Sequence, residues 1–417
     1  MWWWFYELLL VLGLLLYVPK ALWRRRLPHA GWRMRLGRYP AEVRERLGEP
    51  STWVHAVSVG EVLAARPLLS ALGARSRPLV LSTVTPGGFV VARQQSGVVP
   101  IYFPLDLRGS VRRAVDAVRP RVLLLMESEL WPLIILALHG RGIPVAVVNG
   151  RISPRAFARY KLIRPWLRGT LGRVRLFLMQ SDEDARRIMA LGAPEPAVRV
   201  VGSMKWDASR SAASSPEQAA EAARAAGVQA DDVVVVGGST HRGEEQALLD
   251  ALRVIRTDVP RTRLILAPRH LERLAEVESL VRSAGFACAR ASHPGAAWDV
   301  LLVDAFGQLP RYYSLARVAV VGGSFIPHGG QNPLEPASLG RAVVFGPFMH
   351  NFADIARQLT ADGAARQLTS QAQLLPALRE LLSDPAAADR MGRAGQAAVA
   401  RYAGATQRTL DALAPLL

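Results

Sequence analysis

Short apolar segments that recur along most of the 417-residue chain constrain its fold most strongly. Each is rich in Val, Ile and Leu and apolar nearly throughout, which is typical of parallel strands covered on both faces. Longer helical patterns, such as residues 61–74 and 131–141, lie between them. The predicted strands are residues 53–58, 79–84, 99–103, 122–126, 145–149, 176–180, 198–202, 233–237, 264–267, 300–303, 318–322 and 343–345. The sequence therefore predicts an α/β protein.

A change in composition divides these strands into two groups. Residues 207–231 are rich in Ala, Ser, Glu and Gln and show no strand pattern, and domains of about 150 residues are typical for a chain of this length. We expect two Rossmann-like, doubly wound domains that face a cleft. They would cover residues 24–206 and 232–417, joined by a linker over residues 207–231. Open α/β sheets bind ligands at the carboxyl ends of their strands, so functional residues are expected there.

An apolar segment, MWWWFYELLLVLGLLLYV, opens the chain and is interrupted only by Glu7. It has no preceding basic region and no following cleavage site, which disfavours a cleaved signal peptide. Its length suffices to span a bilayer, and Arg24, Arg25 and Arg26 would then lie on the cytoplasmic side. The cost of Glu7 at depth, and the tryptophans, favour instead a helix lying in the interface. We predict a membrane-anchor helix over residues 1–23 in either orientation; a buried helix of a soluble protein is the remaining alternative.

The charge balance predicts anionic partners. Lys and Arg number 52 against 34 Asp and Glu, a formal net charge of +18. Such an excess fits an anionic membrane surface or an acidic substrate. The chain has neither a helix-turn-helix pattern nor interleaved aromatic and basic residues, so a nucleic-acid partner is not predicted. Its eight histidines show no metal-ligand spacing, so no metal is predicted.

Polar residues follow several strands of the first half. Glu61 comes after strand 53–58 and a glycine, where it either acts as a general base or merely caps the next helix. Glu127 and Glu129 follow strand 122–126, as cleft-lining groups or caps. Lys205 lies where the chain leaves the first domain and is expected to face the cleft.

Glycine-rich loops follow strands of the second half. Residues 237–245 read GGSTHRGEE before a helix, and backbone N–H groups at such a helix start bind anions. The loop fits neither the phosphate-loop pattern of ATPases nor the dinucleotide pattern. Residues 329–336, GGQNPLEP, place glycines and Asn332 before another helix start that would seat a phosphate, with Glu335 reaching a ribose.

In their order and spacing, these motifs resemble the Kdo transferases, which attach 3-deoxy-D-manno-octulosonic acid (Kdo) from CMP-Kdo to lipid A precursors. The similarity spans nearly the whole chain. It rests on residues 55–61, 127–132, 202–207, 239–245, 267–270, 306–310, 322–325 and 329–337, with Gly346, Pro347, Asn351 and Phe352.

The resemblance implies an inverting, two-Rossmann (GT-B type) transferase without metal or other cofactor, on the cytoplasmic side of the inner membrane. Its partners would be CMP-Kdo, a phosphorylated lipid A precursor (lipid IVA) and the anionic membrane. Glu61 matches the family's general base, and Glu127 and Lys205 match positions that stabilise the transition state. The matched CMP-binding positions are Pro268, Arg269, Phe306, Gly307, Gln308, Asn332, Pro333, Leu334 and Glu335.

Two residues depart from the family pattern. Gln331 stands where the family usually has His, and Gln308 where it usually has Glu. Base catalysis requires an ionised Glu61, so we expect its surroundings not to be strongly apolar. Three other hypotheses stay open: another membrane-associated nucleotide-sugar transferase, a UDP-sugar epimerase of the same fold, and a membrane-tethered polyanion binder.

Overall fold

The computed structural model describes residues 2–23, 31–47, 49–75, 78–210, 216–295 and 297–417. The basic cluster Arg24 to Arg26 lies outside the described residues. The chain forms two compact units, Met1–Ala208 with Ala403–Leu417, and Ser209–Tyr402. Each unit contains a seven-stranded parallel sheet, which confirms the predicted pair of α/β domains.

The first sheet has the strand order β3-β2-β1-β4-β5-β6-β7. Its strands are β1 (Ser51–His55), β2 (Leu79–Thr83), β3 (Val98–Tyr102), β4 (Pro120–Met126), β5 (Val145–Gly150), β6 (Leu176–Met179) and β7 (Val198–Val200). Winding reverses between β1 and β4, and this reversal creates the crevice where such sheets bind ligands. The helices are α1 (Trp2–Trp23), α2 (Trp32–Arg35), α3 (Ala41–Arg46), α4 (Val59–Arg75), α5 (Pro86–Arg93), α6 (Arg108–Val118), α7 (Pro132–His139), α8 (Pro154–Leu162), α9 (Arg164–Leu171), α10 (Asp182–Leu191) and α11 (Met204–Arg210), with a 3₁₀ turn at Glu195–Ala197.

The second sheet has the order β10-β11-β9-β8-β12-β13-β14 and reverses between β8 and β12. Its strands are β8 (Val233–Thr240), β9 (Thr262–Pro268), β10 (Cys288–Arg290), β11 (Val300–Leu302), β12 (Val318–Val321), β13 (Ala342–Phe345) and β14 (Arg366–Gln367). The helices are α12 (Pro216–Ala226), α13 (Glu244–Asp258), α14 (Leu274–Ser283), α15 (Leu309–Tyr313), α16 (Leu334–Ser338), α17 (Ala353–Ala361), α18 (Leu374–Ser383) and α19 (Pro385–Tyr402), with 3₁₀ turns at Leu271–Arg273, His350–Phe352 and Gln371–Gln373.

Both faces of each sheet are buried, as the continuous apolar strands predict. In β4, Leu123 and Leu125 join the core on one face of the first sheet, while Leu124 joins the core on the other. In β9, Leu264 and Ile265 divide in the same way between the two cores of the second unit. Successive strand residues point to opposite faces, so an apolar residue is needed at nearly every position.

The C-terminal segment corrects the predicted domain boundary. Helix α20 (Ala405–Leu413) and the 3₁₀ turn Ala414–Leu416 belong to the first unit, not to a domain over residues 232–417. The Asp207 carboxylate accepts hydrogen bonds from the Gly404 N–H (2.5 Å), the Thr406 N–H (2.6 Å) and the Thr406 hydroxyl (2.7 Å). Leu410 packs into the same core as Val201. The predicted linker, residues 207–231, contains the end of α11 and all of α12.

Two polar side chains of helix α1, those of Tyr6 and Glu7, hold it on the first unit. Glu7 accepts a hydrogen bond from the Arg108 N–H (2.8 Å) and pairs with the Arg108 guanidinium (3.1 Å). The Tyr6 hydroxyl donates to Asp106 (3.0 Å). Within the described parts of the chain, no helix has both the length and the hydropathy that a membrane crossing requires. The spanning alternative for residues 1–23 is therefore not supported.

We predict that Asp207→Ala lowers the free energy of unfolding of the first unit by about 2 to 3 kcal/mol, because three donors lose a charged acceptor. Urea denaturation measures the change. Asp411→Ala is the matched control, since Asp411 lies exposed on α20 and accepts a hydrogen bond from Gln407 of its own helix. Its effect should stay within about 0.5 kcal/mol. Equal effects of the two substitutions would contradict the role of Asp207.

Candidate active site

The carboxyl edge of the first sheet brings together the three residues expected to carry the chemistry. Glu61 lies in the first turn of α4, directly after β1. Glu127 follows β4, the neighbour of β1 at the point where the winding reverses. Lys205 lies in the first turn of α11, after β7. The structure therefore places all three where the sequence predicted them.

Glu61 is fixed by the loop that precedes its own helix. One oxygen, Oε2, accepts a hydrogen bond from the Val57 N–H (2.8 Å), and Oε1 accepts one from the Ser58 hydroxyl (3.0 Å). The Glu61 N–H in turn faces the Ser58 Oγ at 3.4 Å, the reciprocal arrangement of a capping box. These contacts at the start of its own helix hold the Glu61 carboxyl group in one orientation at the sheet edge, and both interpretations of Glu61 remain compatible with them.

Burial and neighbouring negative charges oppose the ionisation of Glu61. Burial, and then the negative charges of Glu127 and Glu129, raise the pKa of Glu61 to about 8. The hydrogen bonds from Val57 and Ser58 favour the ionised form and oppose part of this rise. Desolvation therefore penalises the charged carboxylate more than the two donors stabilise it, so Glu61 ionises less readily than a carboxyl group in water.

Glu127 and Lys205 form an ion pair across the edge of the sheet. The Lys205 Nζ lies 3.2 Å from the Glu127 Oε1, with both side chains mostly buried. Glu127 has a φ of 55°, a left-handed conformation that strains a residue with a Cβ. Its N–H is bonded to the Val148 carbonyl (3.0 Å). Strain of this kind persists where the surrounding structure enforces it, often at functional sites.

Sequence reasoning did not identify Asn149 as part of this arrangement. It ends a fully buried strand segment with a φ of 52°, and its Oδ1 accepts a hydrogen bond from the Met204 N–H (3.0 Å) at the start of α11. This contact fixes the turn that presents Lys205. The available signal was the Asn-Gly pair after an apolar strand, because Asn adopts left-handed backbone conformations more readily than most residues.

A third carboxyl group completes the cluster. Burial, followed by the charge of Glu127, raises the pKa of Glu129 to about 7. Two carboxyl groups at this edge thus exchange protons near neutral pH, beside a paired lysine. Groups with pKa values shifted toward the working pH are suited to general acid–base chemistry.

In the second unit, the carboxyl group of Glu244, at the start of α13, bonds to backbone N–H groups of two loops. Buried Glu244 accepts four backbone hydrogen bonds: from His241 (2.9 Å) and Gly323 (2.8 Å) at Oε2, and from Ser324 (3.1 Å) and Phe325 (3.0 Å) at Oε1. The carboxylate thereby joins the loops that follow β8 and β12. These four N–H groups are therefore bonded within the chain; they belong to His241 and to the loop after β12, while α13 itself begins at Glu244.

The expected nucleotide-binding residues follow β9, β11 and β12. Pro268 is buried at the end of β9, and the Arg269 N–H bonds to the Thr240 carbonyl (3.0 Å), beside the end of β8. Asn332 donates to the Glu335 carboxylate (3.1 Å) and accepts from the Leu334 N–H (3.1 Å). Burial raises the pKa of Glu335, opposed by Asn332 and by the positive charge of Arg269. The positive charge of Arg269 therefore acts on the Glu335 carboxyl group and favours its ionised form.

The other residues that were expected to bind CMP lie on a loop and around the start of α16. Phe306, Gly307 and Gln308 lie on the loop between β11 and α15, where the Phe306 ring is 71% exposed and Gly307 has a φ of 80°. Pro333 precedes α16, which comprises only Leu334–Ser338. Among the described residues, no group of three or more His, Cys, Asp or Glu side chains is arranged to hold a metal ion.

Comparison with known proteins yields consistent similarities. The family model of the 3-deoxy-D-manno-octulosonic-acid transferases (kdotransferases) matches residues 30–208. The chain is 36% identical over 411 residues to the 3-deoxy-D-manno-octulosonic acid transferase of Bordetella pertussis, covering 94% of both chains. It is 34% identical over 374 residues to that of Haemophilus influenzae, covering 88% of this chain and 87% of the relative.

A solved structure resembles the chain in fold alone. The UDP-GlcNAc 2-epimerase of Neisseria meningitidis, bound to UDP-GlcNAc, superposes with a TM-score of 0.61 at 14% identity, over 88% of this chain and 100% of the epimerase. Identity this low indicates a shared architecture and carries no information about the reaction.

We predict that the Glu61 carboxyl group titrates near pH 8 in the folded protein and that Glu127→Gln lowers its pKa, because a neighbouring negative charge is removed. Carbon-13 NMR of labelled glutamate measures both, with Glu61→Gln assigning the resonance. Glu129→Gln is the matched control and should lower the pKa less, because Glu129 contributes less to the rise. Titration of Glu61 near its ordinary 4.5 would contradict the assignment.

Proposed function

The chain belongs to the 3-deoxy-D-manno-octulosonic acid (Kdo) transferase family and is a glycosyltransferase, and we propose that it transfers Kdo from CMP-Kdo to a phosphorylated lipid A precursor, lipid IVA, with inversion. The observation that carries this proposal is the buried, doubly hydrogen-bonded Glu61 carboxyl group with its pKa raised to about 8. It supplies the base that an acceptor hydroxyl requires.

In the proposed reaction, Glu61 takes the proton of the acceptor hydroxyl. The hydroxyl oxygen forms a bond to the anomeric carbon of Kdo, and the bond from that carbon to the phosphate oxygen breaks with its electron pair left on CMP. A carboxylate with a pKa near 8 removes such a proton more effectively than one near 4.5, provided that it is ionised. The hydrogen bonds from Val57 and Ser58 hold it in the required orientation.

We assign charge stabilisation at the sugar to side chains of the first unit and binding of the nucleotide to side chains of the second. The Glu127–Lys205 pair lies at the same sheet edge as Glu61 and would stabilise charge that develops at the sugar. Arg269 would neutralise the leaving phosphate, while Asn332 and Glu335 would hold the nucleotide. With positive charge supplied in this way, we propose that transfer requires no divalent metal.

We further propose that the enzyme works at the cytoplasmic face of the inner membrane, with α1 lying along the interface. Phe5, Leu8, Leu9, Val11, Leu12, Leu15 and Leu16 of α1 are exposed, while Glu7 is paired with Arg108 and so faces away from lipid. An apolar helix face of this kind partitions into the headgroup boundary.

A second patch on the same unit supports the membrane proposal. Leu162 and Trp166, at the junction of α8 and α9, are 80% and 47% exposed. They lie among exposed cations, namely Arg155, Arg159, Lys161, Arg164 and Arg168. Apolar side chains ringed by positive charge bind anionic lipid surfaces, where each cation adds about 1 kcal/mol.

We predict that Glu61→Gln lowers kcat about 10²- to 10⁴-fold, the usual contribution of a general base. The measurement is mass spectrometry of the lipid product after incubation with CMP-Kdo and tetra-acylated lipid A precursor. Glu195→Gln, on an exposed 3₁₀ turn, is the control and should retain wild-type activity.

The wild-type rate should rise with pH toward about 8, because Glu61 acts only when ionised.

Two outcomes would revise this proposal separately. Full activity of Glu61→Gln would remove the base assignment and leave the transferase activity intact. Turnover of a UDP-sugar by the wild-type protein, with no Kdo transferred to lipid, would overturn the proposed donor and acceptor and favour an epimerase.

We predict that the double substitution Leu162→Ser and Trp166→Ser lowers binding to phosphatidylglycerol vesicles at least about tenfold. Burying each large apolar side chain contributes about 1.5–3 kcal/mol, and 1.4 kcal/mol is a factor of ten. Vesicle flotation measures the change. Val200→Ser, at an exposed apolar position on β7, is the matched control; equal losses would indicate that this patch is not the contact surface.

A further inference from the structure

The loops that follow β8 and β9 in the second unit carry side chains that can recognise a phosphate. Because Glu244 accepts the N–H groups of His241, Gly323, Ser324 and Phe325, a nucleotide phosphate cannot use them. The side chains that follow β8 and β9 at the same edge are His241 and Arg269. No hydrogen bond or ion pair within the described chain engages the Arg269 guanidinium.

His241 carries an unsatisfied polar atom at this position. The residue is 7% exposed, and its Nε2 is buried without a hydrogen-bond partner among the described residues. Its ring lies beside Gly323. A Cβ placed on Gly323 would lie 3.4 Å from the His241 Nε2 and 3.5 Å from the Gln331 Nε2. Buried polar atoms of native proteins are nearly always bonded, so an unpaired one beside two glycine-rich loops indicates a place for a ligand atom.

The surroundings of His241 favour an anionic ligand and a neutral imidazole. Burial, followed by the charges of His328, His270, Arg273 and Arg269, lowers the pKa of His241 to about 4. The ring is therefore uncharged near neutral pH and donates from one nitrogen only. Two arginines act on it, Arg269 and Arg273, of which Arg273 is paired with Glu245 and Glu276. The Glu244 carboxyl group accepts from its four backbone donors.

We propose that His241 is a catalytic residue that donates a hydrogen bond from Nε2 to the phosphate of the nucleotide donor, at the oxygen that leaves the sugar. This inference rests on the proposed donor, CMP-Kdo. When the bond from the anomeric carbon breaks, that oxygen keeps the electron pair and gains negative charge, so the hydrogen bond strengthens in the transition state. Arg269 supplies the accompanying positive charge.

His328 lies next to His241. The two rings lie 4.3 Å apart between centroids, and His328 is exposed. Exposed side chains change rotamer rapidly, so the inference includes a movement of the His328 ring when the donor binds. His270 lies on the other side, 5.5 Å from the His241 ring, and its Nδ1 faces Glu272 at 3.3 Å.

Titration of the wild-type protein with CMP, followed by nitrogen-15 NMR of labelled histidine, tests the contact without any substitution. We expect the His241 Nε2 resonance to shift as the site fills, with the His270 resonances changing little. A filled site with an unmoved His241 resonance would overturn the inference while leaving CMP binding established. A wild-type protein that binds neither CMP nor CMP-Kdo would overturn the proposed donor itself, and this inference with it.

Substitutions at His241 test whether this residue contributes to catalysis. His241→Ala should weaken CMP binding about tenfold and lower kcat for Kdo transfer further, because the bond is strongest at the transition state. His241→Gln, which keeps a donor, should recover part of the kcat loss. His270→Ala is the matched control and should stay within about twofold of wild type in both. If His241→Ala unfolds, the wild-type titration decides; wild-type kcat for a folded His241→Ala would exclude the catalytic role.

Discussion

A parallel sheet buried on both faces leaves chemistry only at the ends of its strands. In each unit, successive strand residues such as Leu123 and Leu124 enter opposite cores, so no interior position is available for a polar side chain without a partner. Polar groups therefore collect where strands end, and the reversal of winding beside β1 and β8 separates the loops enough to admit a ligand. Glu61, Glu127, Arg269 and Asn332 all occupy such positions.

Carboxylates that bind backbone N–H groups organise these loops. Glu244 joins the loops after β8 and β12, Asp207 attaches α20 to the first unit, and Asp106 accepts from Leu133 (3.0 Å) and Ile134 (2.9 Å) at the start of α7. Each satisfies donors that a strand end or helix start leaves unpaired. Glu61 uses the same geometry. Burial raises the pKa of Asp106 to about 6, and burial followed by its acidic neighbours raises the pKa of Glu61 to about 8.

Much of the candidate site could be predicted from the order of residues along the chain. Glu61, Glu127 and Lys205 each follow a segment whose continuous apolar character identifies a buried strand, so their common edge could be inferred. The pKa of Glu61 could not, because it depends on how far water is excluded and on the distance to Glu127, a residue 66 positions away. The same limit applies to Glu244, whose four donors come from two loops about 80 residues apart along the chain.

The sequence by itself determined the two parallel sheets, twelve of the fourteen described strands and the polar residues at the strand ends, because burial on both faces requires continuous apolar segments and local turns require particular residue types. It missed the edge strands β10 and β14, which are short and not continuously apolar. Tertiary structure alone decided that α20 returns to the first unit, that Glu244 bonds to the loops after β8 and β12, and that the His241 Nε2 has no hydrogen-bond partner among the described residues. These outcomes depend on contacts between distant segments, whose desolvation and hydrogen-bond geometry have no counterpart in local sequence pattern.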